Sequence, residues 1–161
     1  MDDGSMTLLV ALVILVACSA FFSASETAFS SLNQIRLKSR AEDGDAAAAR
    51  VLAMAEKYDK LLSTILIGNN IVNIAAASIG TILFTRALGA ERGATMSTIV
   101  LTIVVLIFGE VTPKSLAKEM PETVATAVSP MLNLLMVLFT PLTWLFSQWK
   151  RLLGHFVHST E

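Results

Sequence analysis

The sequence predicts an all-α membrane protein with three transmembrane helices and cytoplasmic amphipathic or juxtamembrane helices. Of its 161 residues, 54% are hydrophobic and only 16% are charged, whereas roughly a quarter of an ordinary soluble domain is charged. The mean hydropathy is +0.66. The chain also holds three long uncharged runs, and a helix needs roughly 20 apolar residues to cross a bilayer.

The first run, Met6 to Ser25, predicts a span over about residues 6–29. A secretory signal peptide is the alternative, and it requires a basic N-terminal region and a small-residue cleavage site. The start, Met1-Asp2-Asp3, is acidic, and the run ends near the bulky pair Phe21-Phe22. Both features favour the transmembrane helix.

Residues 36–60 predict cytoplasmic amphipathic helices. We expect one helix from Ala46 to Leu62, capped by Asp43 or Asp45, which feeds directly into the second span. Its apolar residues recur at three- and four-residue spacing, as a helical face requires. They are Val51, Met54, Tyr58, Leu61 and Ile65.

The second and third spans are predicted at about residues 61–86 and 94–117, the third only if it continues through Glu110. A fourth uncharged run, Thr123 to Gln148, is interrupted by Pro130 and Pro141. We therefore expect interfacial helices over 121–153, because proline breaks or kinks a helix. The membrane domain would then cover 1–154, and 155–161 would form a tail.

The distribution of Lys and Arg predicts the orientation, because cytoplasmic loops carry the excess of these residues. The segment after the first span holds six of them, which places the N-terminus outside and the C-terminus in the cytoplasm. The fourth run begins and ends beside basic residues and should not cross; a fourth crossing is the alternative. The six residues are Arg36, Lys38, Arg40, Arg50, Lys57 and Lys60.

Charge, cysteine and motif content exclude several classes of function. The net charge of −1 provides no basic surface for nucleic acid. The single cysteine, Cys18, lies in an apolar run and supports neither a disulfide framework nor a zinc site. We find no Ser-His-Asp set, phosphate-binding loop or metalloprotease motif, and we expect no enzymatic activity.

Polar residues nevertheless occur inside the first two spans. In the first, Ser19, Ser23, Glu26 and Ser30 follow one another at spacings of four, three and four, so they share one helical face. In the second, the stretch GNNIVN places three asparagines within about one turn. Serine and asparagine also join membrane helices by hydrogen bonds, which is the structural alternative for each of them. The asparagines are Asn69, Asn70 and Asn73.

In the third span, Glu110 precedes Pro113 by three residues. Pro113 has no N–H, so the carbonyl of Gly109, four residues earlier, loses its usual helical partner. The alternative is an interfacial Glu110 paired with Lys114 at i+4. Hydroxyl, amide, carbonyl and carboxylate oxygens together suit a hard cation, either partly hydrated Mg²⁺ or Na⁺.

Three motifs, FFSASETAFSSLN (21–33), LIGNNIVNIAAA (66–77) and FGEVTPKSLA (108–117), resemble the transmembrane domain of the CorC/cyclin-M (CNNM) family of magnesium transporters. The resemblance implies three spans, a homodimer, and Mg²⁺ export coupled to Na⁺ entry. It also implies a paired cytoplasmic CBS regulatory module, which we expect to lie outside this chain.

Transferred by position, the family's ion site falls on serines of the first helix, an asparagine of GNN and the pair Gly109-Glu110. Separately, we expect a hinge at Pro113 and Gly109, because these residues weaken the helix. Second choices are Ser25, Glu26, Asn69 and Asn73, and the choice between Ser23 and Ser25 stays open because they point to different helix faces. The metal ligands that the resemblance implies are Ser19, Ser23, Asn70, the Gly109 carbonyl and Glu110.

We therefore expect Mg²⁺ transport by alternating access at an intramembrane site of oxygen ligands, in a multi-pass cell-membrane protein surrounded by lipid. One alternative is a membrane sensor or adaptor that binds Mg²⁺ and regulates another transporter. A second is a structural anchor for cytoplasmic domains, which predicts that Mg²⁺ has no effect on stability.

Overall fold

A computed structural model describes residues 2–159, and within that range the chain is built from helices without strands. The predicted all-α class is confirmed. The segment Val105–Val111 is a π-helix, in which the turns are wider than in an α-helix. The elements are α1 (Asp3–Ser30), α2 (Gln34–Glu42), α3 (Ala46–Glu56), α4 (Tyr58–Leu88), α5 (Ala90–Val104), the π segment (Val105–Val111), α6 (Thr112–Glu119), α7 (Pro121–Leu138) and α8 (Thr140–Ser159).

Within residues 2–159, four helical stretches are long and apolar enough to cross a membrane, one more than the sequence predicts. Three of them, α1, α4 and the continuous stretch Ala90–Glu119, have 28, 31 and 30 residues. The fourth is α7, with 18 residues, which at about 1.5 Å per residue extends about 27 Å. Helix α7 also packs against α3 and α1. The predicted topology, with three membrane crossings and α7 at the membrane interface, stays a prediction.

Helices α1 and α4 run antiparallel and pack closely. Near one end Gly4 approaches Arg86, and further along the pair the ring of Phe22 lies over Gly68. A Cβ added to Gly68 would lie 2.2 Å from the ring tip of Phe22, so only glycine admits the ring there. This register brings the serines of α1 beside the asparagines of α4.

Helix α5 returns along α4 after a tight turn at Gly89, whose φ is 87°. A Cβ on Gly93 would lie 2.6 Å from the backbone of Thr85, and one on Gly80 would lie 2.2 Å from Leu101. These close approaches hold α5 against α4. The π segment that follows consequently lies against α1 as well.

The helices between the first and second spans differ from the prediction in one respect. The single helix expected from Ala46 to Leu62 is interrupted at Lys57, where α3 ends and α4 begins. The break allows apolar residues on both sides of it to be buried in the same core. These residues are Val51, Met54, Leu61 and Ile65.

Asp45, one of the two predicted caps, begins α3 by accepting a hydrogen bond from the backbone N–H of Ala48 at 3.1 Å. It also pairs with Arg40 at 2.7 Å. The backbone hydrogen bond, followed by the Arg40 guanidinium, lowers the pKa of Asp45. Arg40 additionally reaches Glu122 at 3.5 Å, which links α2 and α3 to the start of α7.

The range predicted for interfacial helices, 121–153, contains two helices that meet at Phe139. Helix α7 continues through Pro130, whereas the break falls beside Pro141 in the first turn of α8, where a missing N–H costs little. Many apolar side chains of α8 are exposed, as expected of a helix that lies at a membrane surface.

Candidate ion site

The hydroxyl of Ser19 lies at the junction of α1, α4 and the π segment. Ser19 is 1% exposed, and its Oγ donates a long hydrogen bond of 3.4 Å to Oδ1 of Asn69. On its other side is Gly109, where an added Cβ would lie only 3.0 Å from the same oxygen. Residues of the second and third motifs therefore meet around one buried hydroxyl group, which lies two residues before the first motif.

Two buried polar atoms on either side of this contact have no hydrogen-bond partner among the described residues. One is Oγ of Ser23, and the other is Oδ1 of Asn73. Each is four residues, or about 6 Å, from the Ser19–Asn69 contact along its own helix. Because α1 and α4 are antiparallel, Ser23 lies on the cytoplasmic side in the predicted orientation and Asn73 on the outer side.

The four residues Ser23, Ser19, Asn69 and Asn73 thus form a polar track of about 12 Å between α1 and α4. A buried polar atom without a partner costs about 1–3 kcal/mol. Such atoms in a folded protein call for an explanation, and a ligand is one of the few that exist. The track consists of hydroxyl and amide oxygens, which suit a hard cation.

Ser23 and Ser25, between which the sequence leaves the choice of ligand open, differ in their hydrogen bonds. Ser25 is fully buried, but its hydroxyl donates to the carbonyl of Phe21 at 2.7 Å. Its proton is therefore committed to its own helix. The hydroxyl of Ser23 has no such bond. A cation binds oxygen lone pairs, which both hydroxyl groups keep, so the choice between the two serines as ligand stays a prediction.

Two of the predicted ligands on α1 and α4 lie outside this junction. Glu26 is exposed on α1. Asn70 is exposed on α4, and the Ser19 hydroxyl contacts its neighbour Asn69 instead. Within a single chain, the second-choice asparagines therefore occupy the junction, and Asn70 faces outward.

Glu110 is half-buried and forms an ion pair of 3.2 Å with Lys114, the arrangement that the interfacial alternative predicts. Both side chains line an open cleft of about 520 Å³ on the π segment and α6. Gly109 faces Ser19 while Glu110 faces this cleft, so the site's carboxylate reaches the polar track only if its side chain turns away from Lys114.

The π segment was not predicted, although Gly109 and Pro113 indicated a weakened helix. The N–H of Thr112 donates to the carbonyl of Ile107, five residues earlier, as in a π-helix. Pro113 is buried and has no N–H to offer the carbonyls of Phe108 or Gly109. Short π segments are rare and frequently occur at functional sites.

The charges around the junction limit the type of metal. Among residues 2–159 no group of three or more His, Cys, Asp and Glu side chains could hold a metal ion. Zinc and copper sites use nitrogen and sulfur ligands, whereas the junction offers neutral oxygen atoms and Glu110 faces the neighbouring cleft.

Sequence comparison places these observations in a family. The model of the cyclin M transmembrane N-terminal domain matches residues 10–158. The UPF0053 inner membrane protein YfjD of Escherichia coli K12 is 46% identical over 135 residues, which are 84% of this chain and 31% of that protein. A UPF0053 protein of Haemophilus influenzae is 42% identical over 141 residues, covering 88% of this chain and 33% of that protein.

A third relative carries a functional name. The polyamine export protein of Escherichia coli K12 is 31% identical over 151 residues, which are 86% of this chain and 34% of that protein. This chain thus spans about a third of the length of these relatives.

Proposed function

This chain belongs to the cyclin M transmembrane N-terminal domain family, and from that membership and the junction around Ser19 we propose that it transports Mg²⁺ across the membrane. In the predicted orientation the ion leaves the cytoplasm, and Na⁺ entry drives its export. The protein is an all-α membrane protein with long apolar helices, as transport requires.

The observation that carries the proposal is the meeting of Ser19, Asn69 and Gly109, flanked by the unpartnered oxygens of Ser23 and Asn73. A partly hydrated Mg²⁺ binds few protein groups directly and keeps several waters, so a small number of neutral oxygens is sufficient. Buried oxygens without partners keep their lone pairs available for such an ion.

Glu110 supplies the negative charge. In the resting state its carboxylate is held by Lys114, and the arriving cation replaces that ammonium group. The π segment allows this change, since its wide turns and Pro113 weaken the helix at the point where the carboxylate must turn. Alternating access then follows from rearrangement of the helices around the bound ion.

The test is Mg²⁺ release from loaded liposomes that contain the purified protein. Glu110→Gln removes the carboxylate and the ion pair, and we expect it to abolish transport. Lys114→Gln removes the same ion pair but keeps the carboxylate, and we expect transport to persist. If both variants lose transport equally, the pair is structural and Glu110 is not a ligand.

Asn70 tests the extent of the site. Exposed in one chain, it joins the ion site only if a second chain covers it, as in the homodimer that we expect. Asn69→Ala should impair transport in any case. Asn70→Ala should impair it only where cross-linking detects a dimer in the membrane.

Polyamine export is the second candidate, because a relative that is 31% identical to this chain carries that name. Polyamines are flexible cations that donate hydrogen bonds, and the acceptors along the polar track could bind them. Liposomes loaded with Mg²⁺ or with spermidine distinguish the two substrates. Release of spermidine but not Mg²⁺ would refute the magnesium proposal.

A Na⁺ gradient tests the coupling. Export coupled to Na⁺ entry should accelerate when Na⁺ is high on the outer side and should fall to a leak rate without Na⁺. Transport by the purified protein alone would also exclude the alternative of a sensor that acts through another transporter.

A further inference from the structure

Two clefts at the cytoplasmic ends of the helices concentrate basic residues beside the membrane boundary. One, of about 340 Å³, lies between the start of α4 and α8 and contains Lys60 and Lys150. The other, of about 160 Å³, lies between α3 and α7 and contains Arg50, Lys57 and again Lys60. The two clefts adjoin at Lys60, and neither belongs to the ion site around Ser19.

The charge of this double cleft is strongly positive. Its lining includes four basic residues and a single acidic one, Asp59. None of the four forms an ion pair within 4.0 Å in the range 2–159. Unpaired cations that line the same cleft repel one another, so a bound anion would stabilise them.

Two hydroxyl groups of α8 in the first cleft already donate hydrogen bonds within their own helix. Thr143 donates to the carbonyl of Thr140, and Ser147 donates to the carbonyl of Thr143. Their protons are committed within α8. An anion in this cleft would therefore take its hydrogen bonds from Lys60, Lys150 and the hydroxyl of Ser63.

The position and rim of the double cleft indicate where the anion comes from. Lys60 is the last charged residue before the long apolar stretch of α4, so it stands at the boundary of the hydrocarbon region. Trp144 and Val137, which line the clefts, are 62% and 66% exposed. Exposed apolar side chains beside a basic cleft suit an acyl chain, which a soluble anion does not have.

We propose that this double cleft binds the phosphate of an anionic phospholipid, with Lys60 at its centre and the acyl chains along Trp144 and Val137. Basic pockets between helices on the cytoplasmic side of membrane proteins bind anionic head groups in this way. Such a lipid fixes α3, α7 and α8 around the start of α4. Its binding does not depend on Mg²⁺ transport.

The test uses the full chain in nanodiscs of phosphatidylcholine and phosphatidylglycerol, followed by native mass spectrometry of the lipid retained on the released protein. The wild type should retain phosphatidylglycerol preferentially. Lys60→Gln and Lys150→Gln should each weaken retention about fivefold, as expected for one basic residue at a membrane surface.

Two control variants separate a site from general surface charge. Lys38→Gln removes an exposed lysine of α2 outside the clefts and should leave retention unchanged, and Lys60→Arg should preserve it. Equal losses in Lys38→Gln and Lys60→Gln, or equal retention of phosphatidylcholine, would overturn the proposal. Displacement of the lipid by millimolar inorganic phosphate would show that the ligand is a soluble anion, and would also overturn it.

Discussion

Replacing Ser23 by alanine should stabilise the protein in the absence of Mg²⁺ and weaken its response to the ion. The Ser23 hydroxyl is 2% exposed and has no hydrogen-bond partner. A buried hydroxyl group without a partner does not stabilise the folded protein. The proposed role of the Ser23 hydroxyl as a cation ligand accounts for its presence.

The expected magnitude follows from three terms. Removing a buried hydroxyl without a partner recovers about 1–3 kcal/mol, and alanine is a better helix former than serine by a few tenths of a kcal/mol, up to about 0.5. The small void left by one oxygen atom reduces the gain. We expect a net stabilisation of about 1 kcal/mol, which corresponds to about 2–4 °C in melting temperature for a chain of this length.

The assay is thermal melting of the purified protein in detergent, with and without Mg²⁺. Ser25→Ala is the matched control, because Ser25 is equally buried on the same helix but its hydroxyl bonds the carbonyl of Phe21 at 2.7 Å. It should be neutral or slightly destabilised and should keep the full Mg²⁺ shift, since ligand binding stabilises the folded state by mass action. If Ser23→Ala melts below Ser25→Ala without Mg²⁺, the hydroxyl has a partner and the reasoning fails.

Three further predictions concern other parts of the structure. Lys114→Gln should tighten Mg²⁺ binding, measured by titration, about two- to fivefold. The substitution releases Glu110 from a partly exposed ion pair worth about 0.4–1 kcal/mol. Weaker binding by the variant would contradict this prediction. Gly68→Ala should lower stability by about 1–3 kcal/mol in melting experiments, since its Cβ would overlap the ring of Phe22, and Phe22→Leu should partly restore it. Asp45→Asn should melt below the wild type at neutral pH and at the same temperature as the wild type in acid. Folding lowers the pKa of Asp45 below its usual 3.8. The stabilisation from the charged carboxylate is therefore present above pH 3.8 and is lost as the pH falls through the lowered pKa.

The fold class and the family could be predicted from the sequence, because both depend on features of the sequence itself. Long uncharged runs require helices in a bilayer, and the three motifs are specific to the family. The cap at Asp45 was also predictable, although only as one of two candidates, since the final choice depends on where the turn at Gly44 places the chain.

Features that depend on packing could not be predicted. No proline or glycine marks the break at Lys57 in the sequence. The break lets the apolar faces of α3 and α4 pack into one core. The choice of Asn69 over Asn70 as the neighbour of Ser19 depends on how α4 is rotated against α1. The ligand set remains a prediction, and the structure supplies the register from which it can be tested residue by residue.

The π segment makes the protein sensitive to the deletion of single residues in this part of the chain. Compared with an uninterrupted α-helix, the wide turns accommodate one surplus residue, and every later position is turned by about 100°. Deleting a single residue between Val105 and Phe108 would let an ordinary helix form, yet it would rotate Gly109 away from Ser19. In this stretch the number of residues matters as much as their identity.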